Sequence, residues 1–155
     1  MSLTVRQILQ GKTRALLTVV PSYSIIDALR IMATHEVGSV LVTEAEKLLG
    51  IFTERDYARK VALKGRNSRE TTVADLMTTK VLTVSPTQSL EECMAIMTNE
   101  RIRHLPVVEN GALIGIVTIG DVIKAIIADQ QNTISHLHQY ISGELIGKPS
   151  SLPSS

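Results

Sequence analysis

The sequence contains no tryptophan and a single phenylalanine among its 155 residues, and aromatic residues make up only 3% of the chain. Single-stranded nucleic acids are held largely by stacking of bases on aromatic side chains, so this composition argues against a base-stacking surface. The net charge of +1 provides no general attraction to nucleic acid or to an acidic membrane. No apolar run reaches the roughly 18 residues that a membrane-spanning helix requires. We therefore expect neither nucleic acid nor a membrane among the partners.

The chain has a single cysteine, Cys93, which cannot form an intramolecular disulfide. Structural disulfides are rare in reducing compartments, and the first residues lack the apolar core of an export signal. These features predict a cytoplasmic protein. The hydrophobic content of 44% is typical of globular proteins, and the length suits one compact domain or two half-size units that share a core.

Two segments of the chain have the same residue pattern at an offset of 65 positions, as in Gly50 and Gly115. Residues 17–61 align without a gap with residues 82–126. Each copy has the pattern of strand, helix, strand, strand and helix. A unit of this size cannot bury both faces of its sheet alone, so two units should pack together. The repeat predicts one α/β (α+β) domain with pseudo-two-fold symmetry and a cleft where the copies meet.

The boundaries of the predicted elements follow from capping and turn residues. In the first copy we expect strands at 16–19, 40–42 and 48–52, a helix from Ser24 to Gly38, and a helix from Thr53 to about Lys64. In the second copy we expect strands at 81–84, 105–108 and 113–117, a capping box at Ser89 and a helix after Thr118. Asn110-Gly111 favours a type I′ hairpin turn. We place the first repeat at 4–66, the second at 72–131, and a C-terminal helix with a flexible tail at 132–155.

Gly11-Lys12-Thr13 looks like the end of a phosphate-binding P-loop. That loop needs a glycine five residues before the Gly-Lys pair, and Arg6 occupies this position. Gly11 is better interpreted as the end of a short helix that begins with the capping pattern Thr4 to Gln7.

Each copy carries the motif Thr-x-x-Asp where its last strand meets its last helix, as Thr53 to Asp56 and Thr118 to Asp121. Such a motif brings a hydroxyl, a carboxylate and free backbone N–H groups to one place, which can bind a phosphorylated sugar. The same pattern also caps a helix, which contributes about 0.5–2 kcal/mol without any ligand. Capping is the better interpretation of one isolated motif. Two motifs in register favour binding, without showing that both sites are occupied.

The repeats resemble a tandem pair of CBS domains, known as a Bateman module. The resemblance rests on residues 50–56, 102–108 and 115–121, which read Gly-Ile-Phe-Thr-Glu-Arg-Asp, Ile-Arg-His-Leu-Pro-Val-Val and Gly-Ile-Val-Thr-Ile-Gly-Asp, and it covers about residues 4–130. It implies two β-α-β-β-α repeats packed sheet to sheet, without catalytic residues or metal ligands. It also implies a regulatory module that binds AMP, ADP, ATP, NAD(H) or S-adenosylmethionine between the repeats, a homodimer paired through helices, and a separate effector protein.

The resemblance also implies binding residues by position. The motif Asp residues would hold ribose hydroxyls, the motif Thr residues would lie near phosphate, and the backbone of the strand after the first helix would contact the base. The implied set is Thr18, Val40, Leu41, Val42, Thr53, Asp56, Thr83, Leu105, Pro106, Val107, Thr118 and Asp121.

The two motifs differ in charge. Residues 53–69 contain six basic and two acidic residues, a net charge of +4, whereas Ile119-Gly120 supplies no cation to the second motif. A cation in the first turn of a helix opposes the helix dipole, so Arg55 and Arg59 favour an anionic ligand over a merely solvated surface. We expect the Arg55 site to prefer ligands with more phosphate than the second site does.

Three further basic residues are candidates for binding phosphate. Arg103 and His104 precede the middle strand of the second copy and could serve either site. Lys80, before the second entering strand, is a weaker candidate, because it is more simply interpreted as an ordinary loop lysine.

Two other functions remain open. One is an enzyme that acts on nucleotides through Asp56 or Asp121, against which the sequence lacks clustered carboxylates for Mg²⁺, a P-loop and a nucleophile–base pair. The other is a structural dimerisation or partner-binding scaffold whose nucleotide sites have lapsed.

Overall fold

The computed structural model describes residues 3–12 and 16–145. The first half contains α1 (Val5–Gln10), β1 (Thr18–Val19), α2 (Ile25–His35), β2 (Ser39–Glu44), β3 (Lys47–Thr53) and α3 (Glu54–Asp56), which continues as a π-helical segment, Tyr57–Ala62. The second half contains α4 (Val73–Leu76), α5 (Leu90–Glu100), β4 (His104–Glu109), β5 (Ala112–Thr118) and α6 (Ile119–Leu145). The predicted mixed fold of two pseudo-symmetric repeats is confirmed.

The two hairpins have the same register. Ser39 lies opposite Thr53 and His104 lies opposite Thr118, and the register shifts after Val42 in one hairpin and after the equivalent residue in the other. The offset of the sequence repeat therefore holds in three dimensions. The two sheets meet where β3 contacts β5.

The predicted turn at Asn110-Gly111 is confirmed, because both residues have positive φ, +54° and +80°. The first repeat makes the equivalent turn with Ala45 and Glu46, whose φ angles are +50° and +66°. These residue types rarely adopt positive φ, which is why the sequence pattern did not reveal that this turn matches the other.

The entering strands are shorter than predicted. β1 pairs in parallel with β2 over Thr18–Val19 alone, and its counterpart in the second repeat is a single bridge from Val84 to Val107. The sheets accordingly have the orders β1-β2-β3 and β4-β5. Leu82, just before this bridge, is 44% exposed. Little apolar surface is therefore buried there to keep the residues before Val84 in a regular strand.

Two helix predictions need correction. α2 ends at His35 and not at Gly38, because its C-cap Glu36 adopts the left-handed conformation with φ +54°. The helix that follows Thr53 is regular for one turn only and then becomes π-helical. Capping and periodicity do not distinguish an i→i+5 ladder from an i→i+4 ladder, so the π-helical segment could not be predicted from residue patterns.

α6 runs without a break from Ile119 to Leu145, past residue 132, where we predicted a separate C-terminal helix. The predicted tail at 146–155 lies outside the described residues, and the limits of the repeats stay a prediction. Across the part of the chain that the structure describes, no helix combines the length and apolar character needed to cross a membrane.

The leading helices α1 and α4 are exchanged between the repeats. The Val5 N–H donates to the Gln88 carbonyl at 2.8 Å, and the Val73 N–H donates to the Tyr23 carbonyl at 2.8 Å. α1 contributes to the hydrophobic core of the second repeat, and α4 contributes to the core of the first. Each core is therefore closed by the leading helix of the other repeat, so neither repeat completes its core with its own leading helix.

Two equivalent glycines allow these helices to approach the sheets. A Cβ atom on Gly50 would lie 2.8 Å from the backbone oxygen of Thr78 and 2.8 Å from Sδ of Met77, whereas one on Gly115 would meet the tip of Leu9 at 2.8 Å. The first contact involves backbone, which cannot move without shifting the chain. The second involves a side chain that can change its rotamer.

We predict that Gly50→Ala lowers the free energy of unfolding by about 1–3 kcal/mol, as overpacking typically does. Gly115→Ala is its matched control and should cost clearly less, because Leu9 can move. Urea unfolding followed by circular dichroism measures both values. Equal losses, or a larger loss for Gly115→Ala, would contradict this account of the packing.

Candidate functional site

A cavity of about 570 Å³ lies where the two repeats meet. Its walls come from the segment after α1, from the start of β2, and from β5 with the first turns of α6. The residues that line it include Lys12, Leu16, Leu17, Glu36, Gly38, Ser39, Leu41, His104, Ile114, Ile116, Thr118, Gly120, Asp121 and Lys124. The cleft thus joins the second motif to the middle strand of the first repeat.

The second motif caps α6 and faces this cavity. The Thr118 N–H donates to Asp121 Oδ2 at 2.9 Å, and the Asp121 N–H donates to Thr118 Oγ1 at 3.2 Å. This reciprocal pattern satisfies two N–H groups at the helix N-terminus. Because both side chains also line the cavity, capping and ligand binding are compatible here.

Lys12 holds the carboxylate of the second motif. Its Nζ lies 2.8 Å from Asp121 Oδ2 and donates to the Ile116 carbonyl at 2.7 Å. The side chains of Lys12 and Asp121 are only 20% and 17% exposed, so water screens this ion pair poorly. The contact joins the segment after α1 to the N-terminus of α6.

Sequence reasoning missed Lys12, which it considered only as part of an incomplete P-loop. The signal was nevertheless present. The leading segments align Thr4 with Thr72, and continuing that alignment pairs Lys12 with Lys80, which was already a candidate for binding phosphate.

The surroundings shift two pKa values in the cleft. Burial disfavours the charged form of Asp121, but hydrogen bonds from Lys12 and Thr118 and the charge of Lys12 outweigh it, so the pKa of Asp121 lies below its usual value. Burial lowers the pKa of His104, and the charges of Arg103 and Lys12 lower it further against the opposing effect of Asp121. The imidazole is therefore neutral at pH 7 and offers the cleft one donor and one acceptor.

The first motif builds the same cap, but its own surroundings occupy the carboxylate. The Thr53 N–H donates to Asp56 Oδ2 at 3.0 Å. Asp56 Oδ1 lies 3.1 Å from Lys60 Nζ and accepts from Thr78 Oγ1 at 3.2 Å. Asp56 is 7% exposed, and it is not among the described residues that line the cavity. The two motifs are thus equivalent in backbone and different in access.

The predicted basic residues Arg55, Arg59, Lys80 and Arg103 are all exposed. Arg55 has a structural role, since its Nη1 donates to the Arg101 carbonyl at 3.3 Å. Arg101 is the C-cap of α5, and a cation is favourable at the negative end of a helix dipole. This contact links the two repeats and needs no ligand.

The structure brings four of the predicted binding residues together at the cavity, namely Leu41, His104, Thr118 and Asp121. Among the others, Thr18 and Thr83 are exposed on the entering strands, and the middle-strand residues Val40, Val42, Leu105, Pro106 and Val107 are buried. Four of these buried side chains form part of the two hydrophobic cores, so any contact of theirs with a ligand would come from the backbone.

A family model of the CBS domain matches the chain twice, at residues 5–63 and 73–128. The chain belongs to the CBS-domain family. The matched segments contain the two repeats with their exchanged leading helices.

Similar proteins carry the same domains. The chain is 41% identical over 125 residues to the CBS domain-containing protein CBSX3, mitochondrial, of Arabidopsis thaliana, a match that covers 77% of this chain and 61% of that relative. It is 37% identical to the CBS domain-containing protein YhcV of Bacillus subtilis, covering 70% and 77%. A solved protein with CBS domains from Burkholderia ambifaria, assigned to signal transduction, is 49% identical with a TM-score of 0.79, covering 83% and 96%.

These comparisons confirm the predicted tandem CBS pair as a regulatory module. The chain spans about 61% of the length of the Arabidopsis relative. The ligand, the oligomeric state and the cellular compartment stay predictions.

We predict that Lys12→Met raises the pKa of Asp121 and lowers the free energy of unfolding at pH 7 by about 1.5–3 kcal/mol, the usual contribution of a hydrogen bond to a charged group. The folded pKa of Asp121 lies below the reference value of 3.8. The contact with Lys12 therefore stabilises the fold above about pH 4 and is lost as pH falls through the folded pKa.

Carboxyl ¹³C NMR titration and urea unfolding at several pH values measure these effects. Lys47→Met removes an exposed lysine at the far end of the β2–β3 hairpin and is the matched control. An unchanged Asp121 titration in Lys12→Met would contradict the ion pair.

Proposed function

We propose that this CBS pair binds an adenine nucleotide in the cleft beside Thr118 and Asp121 and regulates a separate effector protein. The observation that supports this most strongly is the cavity itself, which unites a carboxylate, a hydroxyl, a helix N-terminus and two lysines. The candidate ligands are AMP, ADP, ATP and NAD(H), with S-adenosylmethionine as a further possibility.

The chemistry of the lining matches the parts of a nucleotide. The Asp121 carboxylate can accept both ribose hydroxyls, and the N-terminus of α6 with Thr118 favours a phosphate. Leu16, Leu17 and Ile114 provide an apolar wall for the base. A volume of about 570 Å³ lies within the range of small-ligand sites, roughly 300–1,000 Å³.

We also propose a second site, beside Arg55 and the first motif, that prefers ligands with more phosphate. Asp56 is already engaged by Lys60 and Thr78, which leaves the exposed cations as the main attraction for a phosphate.

Because Arg55 also contacts the C-cap of α5, Arg59→Ala is the more specific variant for testing this second site. It should weaken ATP more than AMP at that site in isothermal titration calorimetry. Equal changes for AMP, ADP and ATP in both Arg55→Ala and Arg59→Ala would end this proposal.

A second candidate function, a dimerisation or partner-binding scaffold, is favoured by the outer face of α6. Ile123, Ile127, Ile134 and Leu137 follow each other at helical spacing and are 49%, 49%, 44% and 54% exposed. Such a row is typical of a helix that packs against another chain. A homodimer is compatible with nucleotide sensing. A ligand that binds two conformational states of the protein with different affinities shifts the balance between them, and a partner chain can respond to that shift. Light scattering gives the oligomeric state.

We regard the module as non-catalytic, and a turnover assay with ATP and AMP tests this directly. We also expect a cytoplasmic location, which cell fractionation tests.

We predict that at least one adenosine ligand raises the melting temperature of the nucleotide-stripped protein. Thermal-shift assays with AMP, ADP, ATP, NAD⁺, NADH and S-adenosylmethionine measure this. A ligand at 100 times its Kd stabilises by about 2.7 kcal/mol, which raises the midpoint by several degrees for a domain of this size. Asp121→Asn should remove most of the shift if the ligand occupies the described cavity. Asp56→Asn is the matched variant in the other motif, so the pair tells which site is occupied.

No shift with any of these ligands would contradict nucleotide sensing and leave the scaffold as the better candidate. A shift that survives in Asp121→Asn and disappears in Asp56→Asn would move the site to the first motif.

A further inference from the structure

We infer that Lys12 makes this cleft select phosphorylated nucleosides over unphosphorylated ones. The inference rests on the proposed function, since it concerns how the same site distinguishes its ligands. It goes beyond the motif residues, because Lys12 lies outside both Thr-x-x-Asp motifs and comes from the segment after α1.

The first step is that Lys12 occupies the group a ribose needs. Its Nζ lies 2.8 Å from Asp121 Oδ2 and 2.7 Å from the Ile116 carbonyl oxygen. If Lys12 stays in place, a ribose diol must share the Asp121 carboxylate with it. A diol that takes the carboxylate fully must release the ammonium group from a partner that is largely shielded from water. Lys12 is therefore a built-in competitor of the ribose.

The second step is that the cost of this competition depends on the ligand. A nucleoside carries no anion, so the ammonium group that it displaces loses a charge-assisted hydrogen bond and receives none in return. A nucleotide brings a phosphate to the N-terminus of α6, where Thr118 and Asp121 already lie. The ammonium group can then exchange the carboxylate for the phosphate and remain paired.

The other charged or titratable side chains of the described lining do not replace Lys12 as a shielded cation. Lys124 is exposed, so solvent weakens its attraction to a phosphate. His104 is neutral at pH 7, because burial and the neighbouring cations lower its pKa. Glu36 is an anion and would oppose a phosphate. Lys12, at 20% side-chain exposure, is the shielded cation of the described lining.

The test is the ratio of two affinities, measured by isothermal titration calorimetry with adenosine and AMP. In Lys12→Met we expect adenosine to bind at least about threefold more tightly and AMP at least about tenfold more weakly, since one charge-assisted hydrogen bond is worth at least a factor of ten. Lys12→Arg keeps the charge and should keep the preference for AMP. Lys47→Met, far from the cleft, controls for the loss of one positive charge.

If Lys12→Met fails to fold, a second neutral variant still tests the role of Lys12. Lys12→Gln retains a donor for the Ile116 carbonyl and repeats the test with a neutral side chain, so it should lose the preference for AMP as well. If both ligands bind and their affinity ratio is unchanged in these neutral variants, the role of Lys12 is wrong while the nucleotide site stands. If adenosine and AMP do not bind the unmodified protein while another ligand of the thermal-shift series does, this inference falls and the nucleotide site stands. If no ligand of that series binds, both proposals fall.

Discussion

The structure depends on the exchange of leading helices between the two repeats. Each hydrophobic core is incomplete until the leading helix of the other repeat docks on it, through backbone bonds such as Val5 to Gln88 and Val73 to Tyr23. Gly50 and Gly115 permit the close approach that this docking needs. Because the exchanged segments then continue into the entering strands, the same packing places Lys12 beside Asp121 and so forms one wall of the cleft.

Pseudo-symmetry of the backbone does not make the two motifs chemically equal. Both motifs build the same cap, yet Asp56 is engaged by Lys60 and Thr78, whereas Asp121 is engaged by Lys12 from a distant part of the chain. Lys60 lies four residues after Asp56, whereas Lys12 comes from the segment after α1. The difference between the motifs therefore lies in side chains at a few positions and not in the fold.

Patterns that depend on neighbouring residues were predicted well. The caps at Thr4, Ser24 and Ser89 and the Asn110-Gly111 turn follow from short-range rules. The π-helical segment, the brief pairing of β1 and the left-handed cap of α2 were not predicted. These features depend on packing and on the edges of the sheets, which residue patterns do not encode.

The sequence by itself determined the repeat, the family and the two motifs, because each is a property of residues close together or at a constant offset. Only the tertiary structure decided which motif opens on a cavity and what already occupies its carboxylate. Lys12 and Asp121 are separated by 109 positions, and no local rule relates them. Their ion pair exists because the exchange of helices brings the two segments together, and only folding establishes that distance.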